Sequence, residues 1–335
     1  MALLADKINV TVEELEENLG EKKLPEFIRT SEEGFIGRID KIVDMMIHDT
    51  SKKAIFVAGP TSSGKTTFTM RLSAGLSKAG RKAAFLSLDD YYILNDLQFD
   101  RQGRPDFETI DTLDIDRAYK DIHDIIDGKS VIPPFFDFTV RRQMERDPSE
   151  AIKLPEDGVL VVEGLHGLNK RVSGDFNDEI MKVFIMPYGN VFSDRKLMDS
   201  QEIRLLRRIV RDNRHRASHA IATIDYWPMI AKSEEHYYTD YLEAADHHVN
   251  SFLSYESLII APLALQDIND ALRMVEEGTL PPNVFMERSN TGKDFADLSA
   301  ALAWAGKLVS HLNKIPKVDP SRVPSESILN EFISK

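Results

Sequence analysis

The sequence predicts an α/β protein: a parallel sheet with helices packed on both faces. Three observations carry this. Apolar runs alternate along the chain with segments of helical periodicity. A glycine-rich loop, Gly59-Pro60-Thr61-Ser62-Ser63-Gly64-Lys65-Thr66, joins the first such run to the first such helix. Acidic residues, Asp89-Asp90 and Glu163, directly follow two later runs, as residues on the carboxyl rim of a parallel sheet do.

Taken in order, residues 1–34 are acidic and weakly patterned. Glu13, Glu14, Glu16 and Glu17 precede Pro25, and the segment reads as an arm or small peripheral element. Ile39, Ile42, Val43 and Met46 share one helical face, so 37–49 reads as an amphipathic helix with its methionines as core filler. Strands are expected over 54–58, 83–88, 158–163, 181–187 and 247–252. Helices are expected over 64–79, 114–127 and 200–214, with Gly80 and Gly128 as stops. Another helix is expected over 295–312, with Leu298, Leu302 and Leu308 among its apolar positions. The segment 316–335 contains Pro316, Pro320 and Pro324 and then a short apolar stretch, Ile328-Leu329 to Phe332-Ile333. The expected division is an arm (1–34), a main domain (35–269) and a helical extension packed on it (270–335).

Composition narrows the function classes. The chain has 335 residues, 42% hydrophobic and 29% charged, with a formal charge of −13. So acidic a surface is a poor match for nucleic acid or an anionic membrane, and an anionic ligand needs a local basic site. The absence of cysteine excludes disulfides, thiolate catalysis and Cys-based zinc sites. The first ten residues lack a secretory pattern, and no apolar run approaches membrane-spanning length. A cytoplasmic setting is the expectation; self-association is left open.

The glycine loop has the order of a Walker A phosphate cradle. Phosphates lose part of their water on binding, and backbone N–H groups replace it. Gly59 and Gly64 allow close approach, and the following helix aims its positive end at the same charges. The loop residues Gly59, Pro60, Thr61, Ser62, Ser63, Gly64, Lys65 and Thr66, with Thr67 after them, are therefore the expected ATP site. Lys65 reaches the β- and γ-phosphates, and the Thr66 hydroxyl is the expected Mg²⁺ ligand. Glu163, closing the buried run Val159-Leu160-Val161-Val162, is placed to bind the same ion directly or through water.

Asp89-Asp90-Tyr91-Tyr92 ends the run from Ala83. A phosphoryl acceptor needs a group that orients its hydroxyl and takes its proton, which an aspartate does without acting as a nucleophile. Neighbours on a rim point apart, so one of the two aspartates is expected to face the acceptor. Arg204, Arg207, Arg208, Arg211 and Arg214 fall within an arc of about 120° on one helix face, with Arg216 just beyond. Like charges so close destabilise a helix, so an anionic partner is expected, and the segment 200–218 reads as a lid closing on the transferred phosphoryl group. A solvated surface helix paired with acids is the plain alternative. His166 and His219 read as hydrogen-bonded structural residues, and His247-His248 as strand neighbours facing opposite ways.

The order Walker loop, Leu88-Asp89-Asp90-Tyr91-Tyr92, Asp106, Pro134-Phe135-Phe136-Asp137-Phe138, Glu163-Gly164 and arginine helix resembles the uridine kinase and phosphoribulokinase family of P-loop kinases, and most of all bacterial uridine-kinase-like proteins. The stretch from Val323-Pro324-Ser325 to Ile333 is similar to the end of such proteins. The resemblance implies a nucleoside-kinase-like P-loop NTPase fold, with ATP as donor and Mg²⁺ as cofactor. It implies Asp89 as catalytic base, Lys65, Arg208 and Arg211 in the phosphoryl-transfer machinery, and Thr66 and Glu163 as the magnesium positions. On the acceptor side it implies Asp89, Tyr92, Asp106 (holding ribose hydroxyls), Phe136, Phe138, Arg141, Arg208 and Arg216. Uridine kinases carry a tyrosine and a histidine where this chain has Phe136 and Arg141, and Ser218 replaces a lid arginine. The expected acceptor is therefore altered, with an anionic or carbonyl group facing Arg141. Other alcohol acceptors, such as pantothenate, a sugar phosphate or a glycerate, and a non-catalytic ATP-binding regulator are the alternatives.

Overall fold

The structure is a computed structural model that describes residues 7–334 apart from 96, 139 and 141. The chain begins with β1 (Ile8–Thr11), α1 (Val12–Glu17) and the long α2 (Lys23–His48). β2 (Ala54–Ala58), the glycine loop, α3 (Lys65–Lys78) and β3 (Ala83–Ser87) follow. Next come α4 (Ile115–Ile126), a hairpin of β4 (Phe135–Asp137) and β5 (Arg142–Met144), and β6 (Val159–Glu163). Beyond α5 (Lys170–Ser173) lie β7 (Ile180–Met186), β8 (Gly189–Phe192) and β9 (Lys196–Met198). The helical part comprises α6 (Ser200–His215), α7 (Ala220–Glu234), α8 (Tyr238–Ala244), α9 (Ser257–Glu276), α10 (Leu298–Leu312) and α11 (Asn330–Ile333), with β10 (His247–Asn250) before α9.

The five expected strands form one sheet in the order β10-β7-β2-β6-β3, with every pairing parallel. Alternation along each strand divides the core into two layers. Ile55, Val57, Val161, Val183 and Ile185 pack on one face with α2 and α3. Ala54, Phe56, Leu160, Val162 and Phe184 pack on the other with α4. Register sets Glu163 level with Val57 on one side and Ser87 on the other, so the chemistry-bearing strand ends share one rim.

The helix expected over 37–49 begins much earlier, at Lys23. Pro25 lies in its first turn, where no intrahelical hydrogen bond is lost, so it does not break the helix. Ile28, Phe35, Ile39, Ile42, Val43 and Met46 keep one face buried throughout. The division drawn after residue 34 therefore falls inside α2, and that drawn after 269 falls inside α9. β1 also joins the body of the fold, pairing in parallel with β8. No helix among the described residues is long and apolar enough to cross a membrane.

α6 starts at Asp199, whose carboxylate accepts from the Gln201 and Glu202 amides while Glu202 reaches back to the Asp199 amide. The sequence suggests one packed and one charged face. Both are packed: Arg204, Arg207 and Arg208 are as buried as Leu205 and Ile209. The segment is a strut of the core, and its cationic face meets carboxylates. Arg204 pairs with Glu234 of α7, Arg207 with Glu256, and Arg208 with Asp212. Glu234 and Glu256, like Glu108 beside Arg208, come from elements far apart in sequence, which is why a helix-face reading alone exposes the arginines.

Candidate active site

The glycine loop is shaped by close contacts and braced from α6. A Cβ on Gly59 would lie 2.1 Å from the Ile185 carbonyl oxygen, so only glycine fits there. Ser62 (φ 58°) and Gly64 (φ 89°) both take left-handed conformations, the alternation that curls a backbone around an anion. Arg204 Nε donates to the Thr61 carbonyl (3.0 Å), Arg207 to that of Ser62 (3.3 Å), and Ser251 Oγ to that of Ser63 (2.6 Å). Arg208 reaches Thr61 Oγ1 at 3.0 Å. Three successive carbonyls are thus tied to buried donors on one side of the loop. Lys65 Nζ folds back onto the carbonyls of Gly59 (3.0 Å) and Pro60 (3.3 Å).

Beside the loop, residues 88–91 form a 3₁₀ turn rather than an extended rim. The turn separates the two aspartates. Asp89 faces a cavity of about 290 Å³. Asp90 accepts from the Phe136 amide (3.3 Å) and from Arg146 Nη2 (2.7 Å), so its charge is spent on holding the β4–β5 hairpin. Ser87 Oγ accepts from the Asp89 amide and donates to Glu163 Oε1 (3.1 Å), linking the two strand ends.

Thr61, Ser62, Lys65 and Thr66 line one part of the cavity, with Asp89 and Glu163 beside them. Tyr92, Phe136 and Phe138 line another part as a mutual aromatic cluster with centroids 5.0–5.9 Å apart. Arg208, Arg211 and Arg216 complete the wall, Arg216 lying 4.9 Å over the Phe138 ring. Gly59, Pro60, Ser63 and Gly64 frame the loop without lining the cavity. Thr67 is engaged elsewhere: its amide and hydroxyl both donate to Glu331.

Asp106 does not line the cavity. Its carboxylate accepts from the Glu108 amide (2.9 Å) and from Ser233 Oγ (3.2 Å), while Glu108 lines the wall in its place, 3.5 Å from Arg208. Arg141 lies outside the described residues. Sequence reasoning also missed Phe285 and Glu331, which line the cavity from the region beyond 270. Neither carries a local motif; the only sign was the apolar character of the stretch around Glu331.

The electrostatics match a site built for charge. Burial pushes the Glu163 carboxyl up to about 8, Asp89 adds to the rise, and Lys65 and Ser87 oppose it. Loss of hydration also raises Asp89, against the pull of Lys65 and Arg216. Asp212 goes the other way: burial works against ionisation, yet Arg211, Arg208 and Arg216 bring it down to about 2. His166 is held neutral, at about 4, by burial.

Residues 54–254 match the model of the phosphoribulokinase / uridine kinase family. A uridine kinase of Ligilactobacillus salivarius is 24% identical over 226 residues, covering 67% of this chain and 95% of that protein. A uridine kinase of Staphylococcus haemolyticus is 26% identical over 179 residues, covering 53% of this chain and 77% of that one. A solved structure described as a "Possible Uridine Kinase from Bacillus stearothermophilus" aligns at 16% identity with a TM-score of 0.43, over 64% of this chain and 98% of the other.

Proposed function

The chain belongs to the phosphoribulokinase / uridine kinase family, and from that premise we propose that it is an ATP-dependent kinase acting on a hydroxyl of a small molecule of nucleoside type. The observation that carries this reading is the single cavity shared by the loop residues Lys65 and Thr66, the carboxylates Asp89 and Glu163, and the aromatic cluster.

The residues present fit a magnesium nucleotide. Glu163 Oε2 and the hydroxyls of Ser62 and Ser63 are buried without a hydrogen-bond partner among the described residues, an arrangement that asks for a ligand. Thr66 and Glu163 would hold Mg²⁺, which when bound supplies positive charge to the phosphate oxygens. The loop amides and Lys65 hold the triphosphate. Asp89 orients the acceptor hydroxyl and takes its proton as the oxygen bonds to the γ-phosphorus and the bond from that phosphorus to ADP breaks. Arg211 and Arg216, at the cavity wall, neutralise charge spreading over the transferred group. Tyr92, Phe136 and Phe138 offer ring faces to a planar base, and Glu108 offers the carboxylate for sugar hydroxyls.

A panel of acceptors with γ-labelled ATP tests the proposal: uridine, cytidine, pantothenate, glycerate and a sugar phosphate. Transfer to a nucleoside, lost in Asp89→Asn, is the expected result. Transfer only to another alcohol moves the acceptor class, and ATP binding with transfer to none of them points to a regulator.

A further inference from the structure

Thr67 is the third residue of α3, and its amide is one of the four at a helix start with no acceptor in the helix itself. In a phosphate cradle such amides serve the ligand. Here the donors are taken. Glu331 Oε2 accepts from Thr67 N at 3.2 Å and from Thr67 Oγ1 at 3.1 Å. The acid arrives from 264 residues away in sequence, on a segment held firmly in place. Ile328, Leu329 and Phe332 are fully buried, and the Phe332 ring lies 5.1 Å from the Arg207 guanidinium that braces the loop. Ile328 occupies the space over Gly64, where a Cβ would lie 2.2 Å from its Cδ1. Glu331 alone in this segment faces the cavity.

We propose that Glu331 is an internal competitor of the nucleotide: its carboxylate holds the Thr67 donors in the free protein and must give them up when a phosphate group seats on the loop. This rests on the reading that ATP binds residues 59–67. A carboxylate and a phosphate are favoured at a helix start for the same reasons, the unpaired amides and the helix dipole, so they compete for it. The buried hydroxyls of Ser62 and Ser63, without a hydrogen-bond partner among the described residues, independently point to a ligand on the adjoining loop. Because the flanking apolar side chains fix the backbone, the gate moves by rotation of one side chain, with the segment itself staying docked. Whatever holds Glu331 in its rotated position strengthens nucleotide binding.

The test is calorimetric titration of the full chain with Mg·ATP in wild type, Glu331→Gln and Glu331→Ala. Both substitutions remove the competing charge at a half-buried position, so ATP binds about tenfold more tightly, the size of one charge-assisted hydrogen bond. The Thr67 amide resonance of the free variants also shifts from that of the free wild type. Unchanged or weaker ATP binding in both variants, with binding still lost in Lys65→Ala, overturns the gate and leaves the ATP site standing. No ATP binding to any of these proteins overturns both.

Discussion

Arg207 and Glu256 form a forked ion pair inside the protein, with hydrogen bonds of 2.9 and 2.7 Å, while the same guanidinium donates to the carbonyls of Ser62 and Ser251. One side chain thus fastens the phosphate loop, α6 and the entry to α9 together. Removing one partner of a buried pair leaves the other charge stranded. Glu256→Ala is expected to cost about 3–5 kcal/mol in urea unfolding. Arg207→Lys, which keeps the charge but not the planar fork, also weakens ATP binding, because the Ser62 carbonyl loses its brace.

The two adjacent aspartates separate by role. Asp89→Asn keeps shape but removes the proposed proton acceptor, so phosphoryl transfer is expected to fall by about 10²–10⁴ while ATP affinity is retained. Asp90→Asn weakens the hold on Arg146 and the Phe136 amide instead. It is expected to raise the KM for the acceptor through a looser hairpin and to leave kcat within a few-fold. Steady-state kinetics of the two variants side by side checks the assignment; equal losses of kcat would contradict it.

The strands and the rim were legible because buried parallel strands read as continuous apolar runs, and their carboxyl ends follow from topology. The glycine loop was legible because its residues are contiguous in sequence and directly follow β2. The burial of Arg204, Arg207 and Arg208 was not, since it depends on Glu234, Glu256 and Glu108, which come from other elements. Asp106 was placed by resemblance, and the turn of the chain there brings Glu108 to the cavity. The first half of α2 was not legible, because 1–34 reads as acidic and weakly patterned although Ile28 and Phe35 continue the buried face of the helix. Glu331 is the extreme case: a single acid whose role is set entirely by where its apolar neighbours dock.

Asp212 anchors the arginines of the site. Its two oxygens take Arg208 Nε (3.0 Å) and Arg211 Nε and Nη2 (3.0 and 2.8 Å). A carboxyl held at about 2, below its ordinary 3.8, binds fewer protons folded than unfolded. Its stabilising contribution is therefore complete above about pH 4 and is lost as pH falls through 2. Asp212→Asn is expected to lose about 3–5 kcal/mol at neutral pH and to show a shallower acid loss than wild type, read from denaturant midpoints between pH 2 and 5.

His166 gives a second pH signature, nearer neutrality. Its Nε2 lies 2.8 Å from the Glu108 carbonyl, which only accepts, so Nε2 carries the proton and Nδ1 accepts from the Tyr241 hydroxyl at 2.7 Å. Burial keeps the ring neutral down to about pH 4, whereas the unfolded chain protonates it near 6.5. Between those values the unfolded state binds the extra proton, so stability falls as pH drops from 6.5 to 4. In His166→Gln that slope flattens, with a loss of about 1–3 kcal/mol at pH 7 from the broken contacts. Because the ring holds the backbone of Glu108, which borders the cavity, the variant also raises the acceptor KM more than it lowers kcat. Thermal midpoints across pH 4–7 with paired kinetics at pH 7 measure both effects, and an unaltered pH slope in the variant would show that another group is responsible.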